Sequence, residues 1–351
     1  MIDETAKAEE FYQKFKALVK PDVEFGLPDI PDDNVEEALR FLDEAASRGH
    51  VLAMSELGIS YLHGLGVDED PDKAETLLRK AAASGEPNAQ FTLYTILVQK
   101  AASREEFREA FEFLMQAAEQ DFPQALFELG MIYYHGTALP LGSSLAFPQD
   151  YARAADYWQR AAKTGASEAT GHLALLYLYG NGVEKDPQKA LALLTQAAEA
   201  DSSNIFSWYN LGTLFLGGMG DVGVPVNYPE AIKWLEKAAE YGHLHAHHNL
   251  GIAYRDGLGV EQDLNKALQC FLMASGALAE EEELAWPTVP EACYEAGKMF
   301  LEGQGVDEPD YGYAVECLEK AAEMGLQEAK DLLEAIEKAA SEDEEDNEGD
   351  N

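Results

Sequence analysis

The sequence has little cysteine, little positive charge and few β-branched residues. Its 351 residues include three cysteines and 25 basic residues against 65 acidic ones, which leaves a formal net charge of −40. An odd number of cysteines offers no disulfide framework. The acidic surplus would repel phosphate backbones and anionic membrane surfaces, so we expect no direct binding to nucleic acid or to a membrane. The same surplus favours a basic protein partner.

The sequence also lacks a leader-like start and a long apolar run. Residues 1–4 contain no basic residue, and no later stretch is apolar and long enough to span a bilayer. Together with the low cysteine content, this predicts a cytoplasmic protein. Alanine, leucine, glutamate and lysine are abundant instead, and this composition favours helix.

A short pattern returns seven times along the chain. It consists of an alanine, a leucine four residues later, a glycine, an aromatic residue and a second glycine; one copy is Ala53, Leu57, Gly58, Tyr61 and Gly64. We call the first position the anchor. The anchors are Ala53, Ala89, Ala125, Ala169, Ser207, Ala246, Ala292 and Ala329. Units of this kind cannot bury their apolar faces alone and must stack on one another.

Each unit is predicted to form a first helix, a glycine-rich turn and a second helix. The glycine directly after the leucine lies inside the first helix, where it costs stability. We expect close approach of a neighbouring helix to offset that cost. In two units the position holds Tyr94 or Ala174 instead, which predicts different packing there.

The recurring residues resemble those of a known family, the Sel-one-like repeats, which are relatives of the tetratricopeptide repeats. The resemblance covers roughly residues 35–335 and rests on motifs such as Tyr254-x-x-Gly257-Leu258-Gly259-Val260 and Lys237-Ala238-Ala239-Glu240-x-Gly242-His243. It implies an all-α fold: an α-solenoid, a right-handed superhelix of antiparallel helix pairs, with about seven repeats and capping helices. It also implies an adaptor for other proteins.

Three regions follow from this pattern. Residues 1–34 should form an N-terminal helix and a linker, and the helix is expected to fold back on the first unit. Residues 35–339 should form the repeat solenoid, beginning with a lone second helix and ending with a lone first helix. Residues 340–351 are predicted to be an acidic, disordered tail, because 341–351 contains seven acids and no apolar residue.

A candidate partner-binding surface follows from helical geometry. Residues three and ten positions after an anchor should point away from the core, and the resemblance implies that first helices line the concave side of the solenoid. The groove residues predicted in this way are Glu56, His63, Glu128, His135, His172, Tyr179, Asn210, Asn249, Asp256, Glu295 and Glu302. Their acids, amides and histidines suit a basic or extended peptide. The alternative is an ordinary solvated face.

Two histidines raise the question of a metal site. His243 and His247 are four residues apart and could share a helix face with a third ligand. However, His50 occupies the same closing position of its unit as His243, and no carboxylate or cysteine has a spacing that would complete a site. A structural role is therefore the preferred interpretation, and we expect neither a metal nor a cofactor.

The cysteines are interpreted as structural. Cys270 and Cys317 lie at a second-helix position that holds Trp234 in another unit, so we expect small core residues whose thiols are inert. A disulfide from Cys293 to one of them is the alternative. No histidine has a spacing to cysteine or serine that suggests a catalytic triad, and the glycine-rich turns lack the ending of a phosphate-binding loop.

Three segments lengthen the repeat, at residues 137–148, 221–228 and 276–290. They either contact a partner or fill gaps in the solenoid. We interpret the chain as a non-enzymatic, monomeric scaffold that binds a protein or peptide partner, with chaperone-like holding of many clients as a variant. The alternative is an acidic inhibitor or immunity-type protein that blocks a cationic partner.

Overall fold

The computed structural model describes residues 4–19, 34–136, 148–200, 204–218, 224–277 and 288–349, with side chains up to residue 339. In these ranges the chain forms an all-α solenoid. The helices are α1 Glu4–Leu18, α2 Val35–Ser47, α3 Val51–His63, α4 Pro71–Ala83, α5 Pro87–Lys100, α6 Arg104–Glu119, α7 Pro123–His135, α8 Tyr151–Lys163, α9 Ser167–Tyr179, α10 Pro187–Ala200, α11 Ile205–Gly217, α12 Tyr228–Glu240, α13 Leu244–Asp256, α14 Leu264–Ala274, α15 Pro290–Glu302, α16 Tyr311–Glu323 and α17 Gln327–Gly349.

The chain divides into two compact units, Met1–Ala169 and Thr170–Asn351. In each unit, consecutive helices pack in pairs, of which the odd-numbered helix is the first helix and the even-numbered one is the second. The first compact unit contains the pairs from α1–α2 to α7–α8. The second compact unit contains α11–α12, α13–α14 and α15–α16. Where a short described connection joins the two helices, as between α3 and α4, the pair is antiparallel.

The two helices of a pair meet closely at the early glycine of the first helix. A Cβ atom added to Gly58 would lie 2.8 Å from Leu78 Cγ, and one added to Gly212 would lie 2.7 Å from Leu235 Cγ. At Gly130 the added atom would overlap the indole ring of Trp158, whose Nε1 donates a hydrogen bond to the carbonyl oxygen of Phe127, 3.2 Å away. The expected close approach is confirmed.

Local sequence signals determine where the helices begin and end. The carboxylate of Asp70 accepts a hydrogen bond from the backbone N–H of Lys73 at the start of α4, as is typical of an N-cap. At the other end of the pair's first helix, Gly64 adopts φ 67°, a left-handed conformation that glycine adopts without strain. Asp263 and Gly257 play the same roles around α13 and α14.

The α5–α6 pair departs from the glycine contact, as the sequence predicts. Tyr94 stands where five other first helices have glycine, and its ring is buried. The ring packs edge-on against Phe111 at 5.7 Å, and the hydroxyl donates a hydrogen bond to Glu128 on α7. The larger residue therefore links this pair to the next one.

The N-terminal helix completes the first pair. Helix α1 packs on α2, with Phe15 fully buried and Phe11 6.1 Å from Phe41 between ring centroids. The expected fold-back is thus observed, but α2 is not the lone second helix that the sequence predicts, because α1 takes the place of its first helix. The predicted linker lies largely outside the described residues.

The C-terminal end differs from its prediction. Helix α17 continues to Gly349, whereas the sequence predicts disorder from residue 340. No proline or glycine interrupts residues 327–348, and glutamate and alanine are good helix formers. The anchor Ala329 is fully buried, as expected of a first helix.

Two further features concern membrane-spanning helices and the lengthened segments of the repeat. None of the helices in the described ranges combines the length and the apolar character needed to cross a bilayer. The lengthened segments 137–148 and 276–290 lie mostly outside the described residues, as do positions 221–223 of the third one.

The Gly130→Ala substitution should destabilise the protein by about 1–3 kcal/mol, because the new methyl group must displace the indole ring of Trp158 from a filled interface. The matched control is Gly217→Ala, at an exposed helical glycine with no atom within 4 Å of the added Cβ. That change should be neutral or stabilising by up to about 1 kcal/mol. Denaturant unfolding measures both, and equal effects would contradict the role of the glycine contact.

Candidate partner-binding site

The structure divides the predicted groove residues into two groups. The residues three positions after the anchors are half-buried, and those ten positions after them are exposed. The half-buried group is Glu56, Glu128, His172, Asn210, Asn249 and Glu295. The exposed group is His63, His135, Tyr179, Asp256 and Glu302. Of the residues predicted to point away from the core, the first group is therefore only partly accessible and the second group is exposed.

In the first compact unit, tyrosines of the preceding first helix bind the half-buried carboxylates. The Tyr12 hydroxyl donates a hydrogen bond to Glu56 Oε1 at 2.9 Å, and the Tyr94 hydroxyl donates one to Glu128 Oε1 at 2.8 Å. Burial raises the pKa of Glu56 above its ordinary value. Burial and the neighbouring carboxylates also raise the pKa of both tyrosines, so each hydroxyl keeps its proton and remains a donor.

In the second compact unit, the same position also contacts neighbouring first helices. Arg255 on α13 donates a hydrogen bond to Glu295 Oε2 on α15 at 2.7 Å. The ring of His172 on α9 stacks on Phe206 of α11, with 4.2 Å between centroids. Asn210 donates a hydrogen bond to the carbonyl oxygen of Phe206 within its own helix. First helices of successive pairs therefore lie side by side, and this arrangement covers the third position after each anchor.

The exposed group lies at the C-terminal ends of the first helices, beside the turns. Asp256 accepts two hydrogen bonds from Arg255, at 2.7 and 3.0 Å, and this contact lowers the pKa of Asp256 below its ordinary value. Glu302 accepts a hydrogen bond from Gln304. Tyr179 has 63% of its side chain exposed. Within the predicted groove, these residues are the exposed ones.

His243 has a structural role. It is the N-cap of α13, where its Nδ1 accepts a hydrogen bond from Ala246 N, and its ring stacks on Tyr209 with 4.3 Å between centroids. Burial lowers the pKa of His243 to about 4, and it also lowers the pKa of His247. His50 is the N-cap of α3 and stacks on Tyr12 in the same way.

Metal ligands do not gather around these histidines. Among the residues that the structure describes, no three histidine, cysteine, aspartate or glutamate side chains form a group that could hold a metal ion. Neither His243 nor His247 is therefore joined by the third ligand that a metal site would need.

The three cysteines are free thiols. Burial raises the pKa of Cys270 and that of Cys317 to about 11, so both remain protonated at neutral pH and are poor nucleophiles. Cys293 is fully buried. The interpretation of Cys270 and Cys317 as inert thiols is thus supported, and the alternative of a disulfide from Cys293 is not observed.

One recurring contact is absent from the predictions. In four pairs, a basic residue of the second helix lies over a tyrosine of the first helix. These contacts are Lys73 on Tyr61, Arg153 on Tyr133, Lys189 on Tyr177 and Lys266 on Tyr254, at 3.9–5.2 Å from the ring centroid. The sequence signal was available, since each tyrosine lies eight residues after its anchor and each cation three residues after the N-cap of the second helix.

The second compact unit contains a cavity of about 870 Å³ formed by α14, α15, α16 and the turn before α16. Its apolar lining includes Leu272, Phe300 and Val306. Four carboxylates also line it, from Asp307, Glu308, Asp310 and Glu316. The ammonium group of Lys320 is the one basic group among the lining residues, and it donates a hydrogen bond to the carbonyl oxygen of Ser275 at 2.8 Å.

A family model described as the Sel1 repeat matches well over half of the chain. The matched residues are 24–50, 51–86, 123–165, 167–202, 209–243, 244–276 and 290–326. Most of residues 87–122 lies in the α5–α6 pair, which has Tyr94 in place of the usual glycine, and this segment is outside the matches. The structure nevertheless shows a helix pair there.

Similar proteins come from bacteria, a fungus and the mouse. A Sel1 repeat protein from Oxalobacter formigenes of known structure superposes with a TM-score of 0.60 at 27% identity, covering 94% of this chain and 86% of that one. An uncharacterized protein of Neisseria meningitidis is 28% identical over 85% of this chain and 56% of its own length. Chitin synthase regulatory factor 3 of Schizosaccharomyces pombe is 24% identical over 68% of this chain and 25% of its own length. The chain thus spans about half the length of the first relative and a quarter of the second.

The Glu128→Lys substitution should destabilise the protein by about 2–3 kcal/mol. The change leaves the buried hydroxyl of Tyr94 without its acceptor and forces a second cost, the partial burial of an ammonium group. The control is Glu112→Lys, the same change of charge at an exposed position of α6, for which we expect a shift within about 0.5 kcal/mol. Denaturant unfolding measures both, and equal shifts would mean that the Tyr94–Glu128 contact contributes little.

His243 should make stability depend on pH. Because its pKa falls from 6.5 to about 4 on folding, the unfolded chain binds this proton first as the pH decreases. The contribution of His243 to the free energy of unfolding is therefore fully present above pH 6.5 and is lost as the pH falls towards 4. His243→Asn preserves an N-cap acceptor without the titration, so its free energy of unfolding should decline less over this range. Parallel pH profiles for the two proteins would disprove this assignment.

Proposed function

Because the chain belongs to the Sel1 repeat family, we propose that it is a non-enzymatic scaffold that binds a basic segment of a partner protein. Sel1 repeat proteins mediate protein–protein interactions. One relative, chitin synthase regulatory factor 3, is named as a regulator rather than as a catalyst. The class of function follows from the family, and the basic character of the partner is our inference from this chain.

That inference rests on how the chain uses its basic side chains. Cations are scarce, and four of them are engaged on tyrosine rings inside helix pairs. Others form ion pairs within one helix, such as Lys14 with Glu10 and Lys233 with Glu230. Basic groups that already have partners within the chain are poorly placed to attract an acidic ligand. The surplus of acids thus remains available to the surroundings.

An acidic surface of this kind favours association with a cationic partner in two ways. It steers the encounter over a distance of roughly one Debye length, about 8 Å at physiological salt, and it disfavours acidic competitors. Binding that depends on exposed charges weakens as salt screens them. A scaffold and an inhibitor would share this behaviour, and only an activity measurement on the bound partner separates them.

The test uses the exposed residues of two first helices in the second compact unit. In affinity capture from a native lysate at low and moderate salt, the Asp256→Lys/Glu302→Lys variant should lose the basic proteins that the unchanged chain retains. The control is Glu240→Lys/Glu323→Lys, which introduces the same charge at exposed positions of two second helices. Both variants should remain folded, because an exposed ion pair such as that of Asp256 with Arg255 contributes at most about 1 kcal/mol to stability.

Three results would contradict the proposal. The first is retention of the bound proteins at moderate salt, and the second is an equal loss in both double variants. The third is a set of captured proteins without basic segments. Where one stoichiometric partner is captured, its activity in the presence of the chain shows whether the complex is a scaffold or an inhibited enzyme.

A further inference from the structure

In all but one of the described helix pairs, the same position of the second helix holds a charged residue. This position is the third residue after the N-cap, and we call it the cation position. In four pairs it holds the lysine or arginine that lies over the first-helix tyrosine. In three others it holds a glutamate that is bonded within the chain: Glu37 to Arg40, Glu106 to the backbone of Ser103, and Glu230 to Lys233.

The pair α15–α16 departs from both patterns. Its cation position holds Tyr313, whose backbone N–H donates a hydrogen bond to the N-cap Asp310, just as Lys73 does to Asp70. The first-helix aromatic is Phe300, and the two rings stack with 5.7 Å between centroids. Tyr313 has 60% of its side chain exposed. An exposed aromatic face therefore lies where the other pairs place either a cation or a bonded carboxylate.

The cavity in the second compact unit lies beside this exposed ring. Tyr313 and Phe300 both line it, together with the four carboxylates described above. Its one basic group, that of Lys320, is held by the carbonyl oxygen of Ser275 at the end of α14. The cavity is thus lined by carboxylates, an exposed aromatic ring and apolar side chains. Its lining contains more acidic than basic residues.

We propose that this cavity binds a lysine or arginine side chain of the partner together with an adjacent apolar side chain. The cation lies over Tyr313 among the carboxylates, and the apolar neighbour packs on Leu272, Phe300 and Val306. A cation within about 6 Å of an aromatic ring is attracted by the electrons of its face, and the chain itself uses this contact in four other pairs. The inference rests on the proposed function, for which it names one site of contact.

The test measures binding of a defined probe by fluorescence anisotropy with the full-length chain. The probe is a labelled peptide with one arginine between two leucines, and its neutral counterpart has citrulline in place of the arginine. The arginine peptide should bind at least about tenfold more tightly than the citrulline peptide. This preference should decrease as salt is added.

Two substitutions locate the binding. Tyr313→Lys places in the cavity the residue that three other pairs have at this position. It should therefore fold normally and weaken binding of the arginine peptide at least about tenfold. Tyr311→Lys adds the same charge two residues away, at a side chain that is 66% exposed and does not line the cavity. It should change the affinity by less than about threefold. Melting temperatures confirm that both variants are folded.

Several results would overturn the proposal. They are a failure of the unchanged chain to prefer the arginine peptide, unchanged binding by Tyr313→Lys, and an equal loss with Tyr311→Lys. Competition by an unlabelled peptide of residues 278–287 would assign the cavity to the chain's own segment instead. None of these measurements involves Asp256 or Glu302. The cavity proposal can therefore be contradicted while the proposed function stands, and the proposed function can be contradicted while the cavity proposal stands.

Discussion

The fold depends on how closely the two helices of each pair approach one another. The early glycine of the first helix leaves no room for a side chain, and Leu78, Trp158 or Leu235 fills that place from the second helix. The buried alanines of both helices, such as Ala53 of α3 and Ala74 of α4, keep the backbones close. Glycine within a helix costs roughly 1 kcal/mol relative to alanine. The cost is offset because the contact buries a large apolar side chain in every pair that has it.

Close packing also determines where charge can be exposed. First helices of neighbouring pairs lie side by side, so Glu56, Glu128 and Glu295 are covered and bonded to Tyr12, Tyr94 and Arg255. Second-helix cations lie over the tyrosines of their own pairs. These contacts engage five of the 25 basic side chains and do not neutralise the acidic surplus. The same interactions that hold the helices together therefore leave the acidic surplus on which the proposed function rests.

Repetition makes departures from the pattern informative. Most contacts recur because every helix pair packs in the same way. A recurring contact therefore needs no separate functional explanation. His243 is an example, since His50 caps its helix and stacks on a tyrosine in the same way. Tyr313 is the opposite case, because no other described pair has an aromatic residue at that position. The repeat is thus the internal reference against which a binding site can be recognised.

The sequence by itself determined the helix pairs, their caps and the glycine contacts, because these depend on residues close together in the chain. Asp70 caps the helix that follows it, and Gly58 marks a contact with the next helix. Only the tertiary structure decided which groove residues are exposed. Whether Glu128 reaches solvent depends on Tyr94 of the neighbouring first helix, 34 residues earlier in the chain, and helical periodicity carries no information about it. The cavity beside Tyr313 depends in the same way on three helices that meet only in the folded chain.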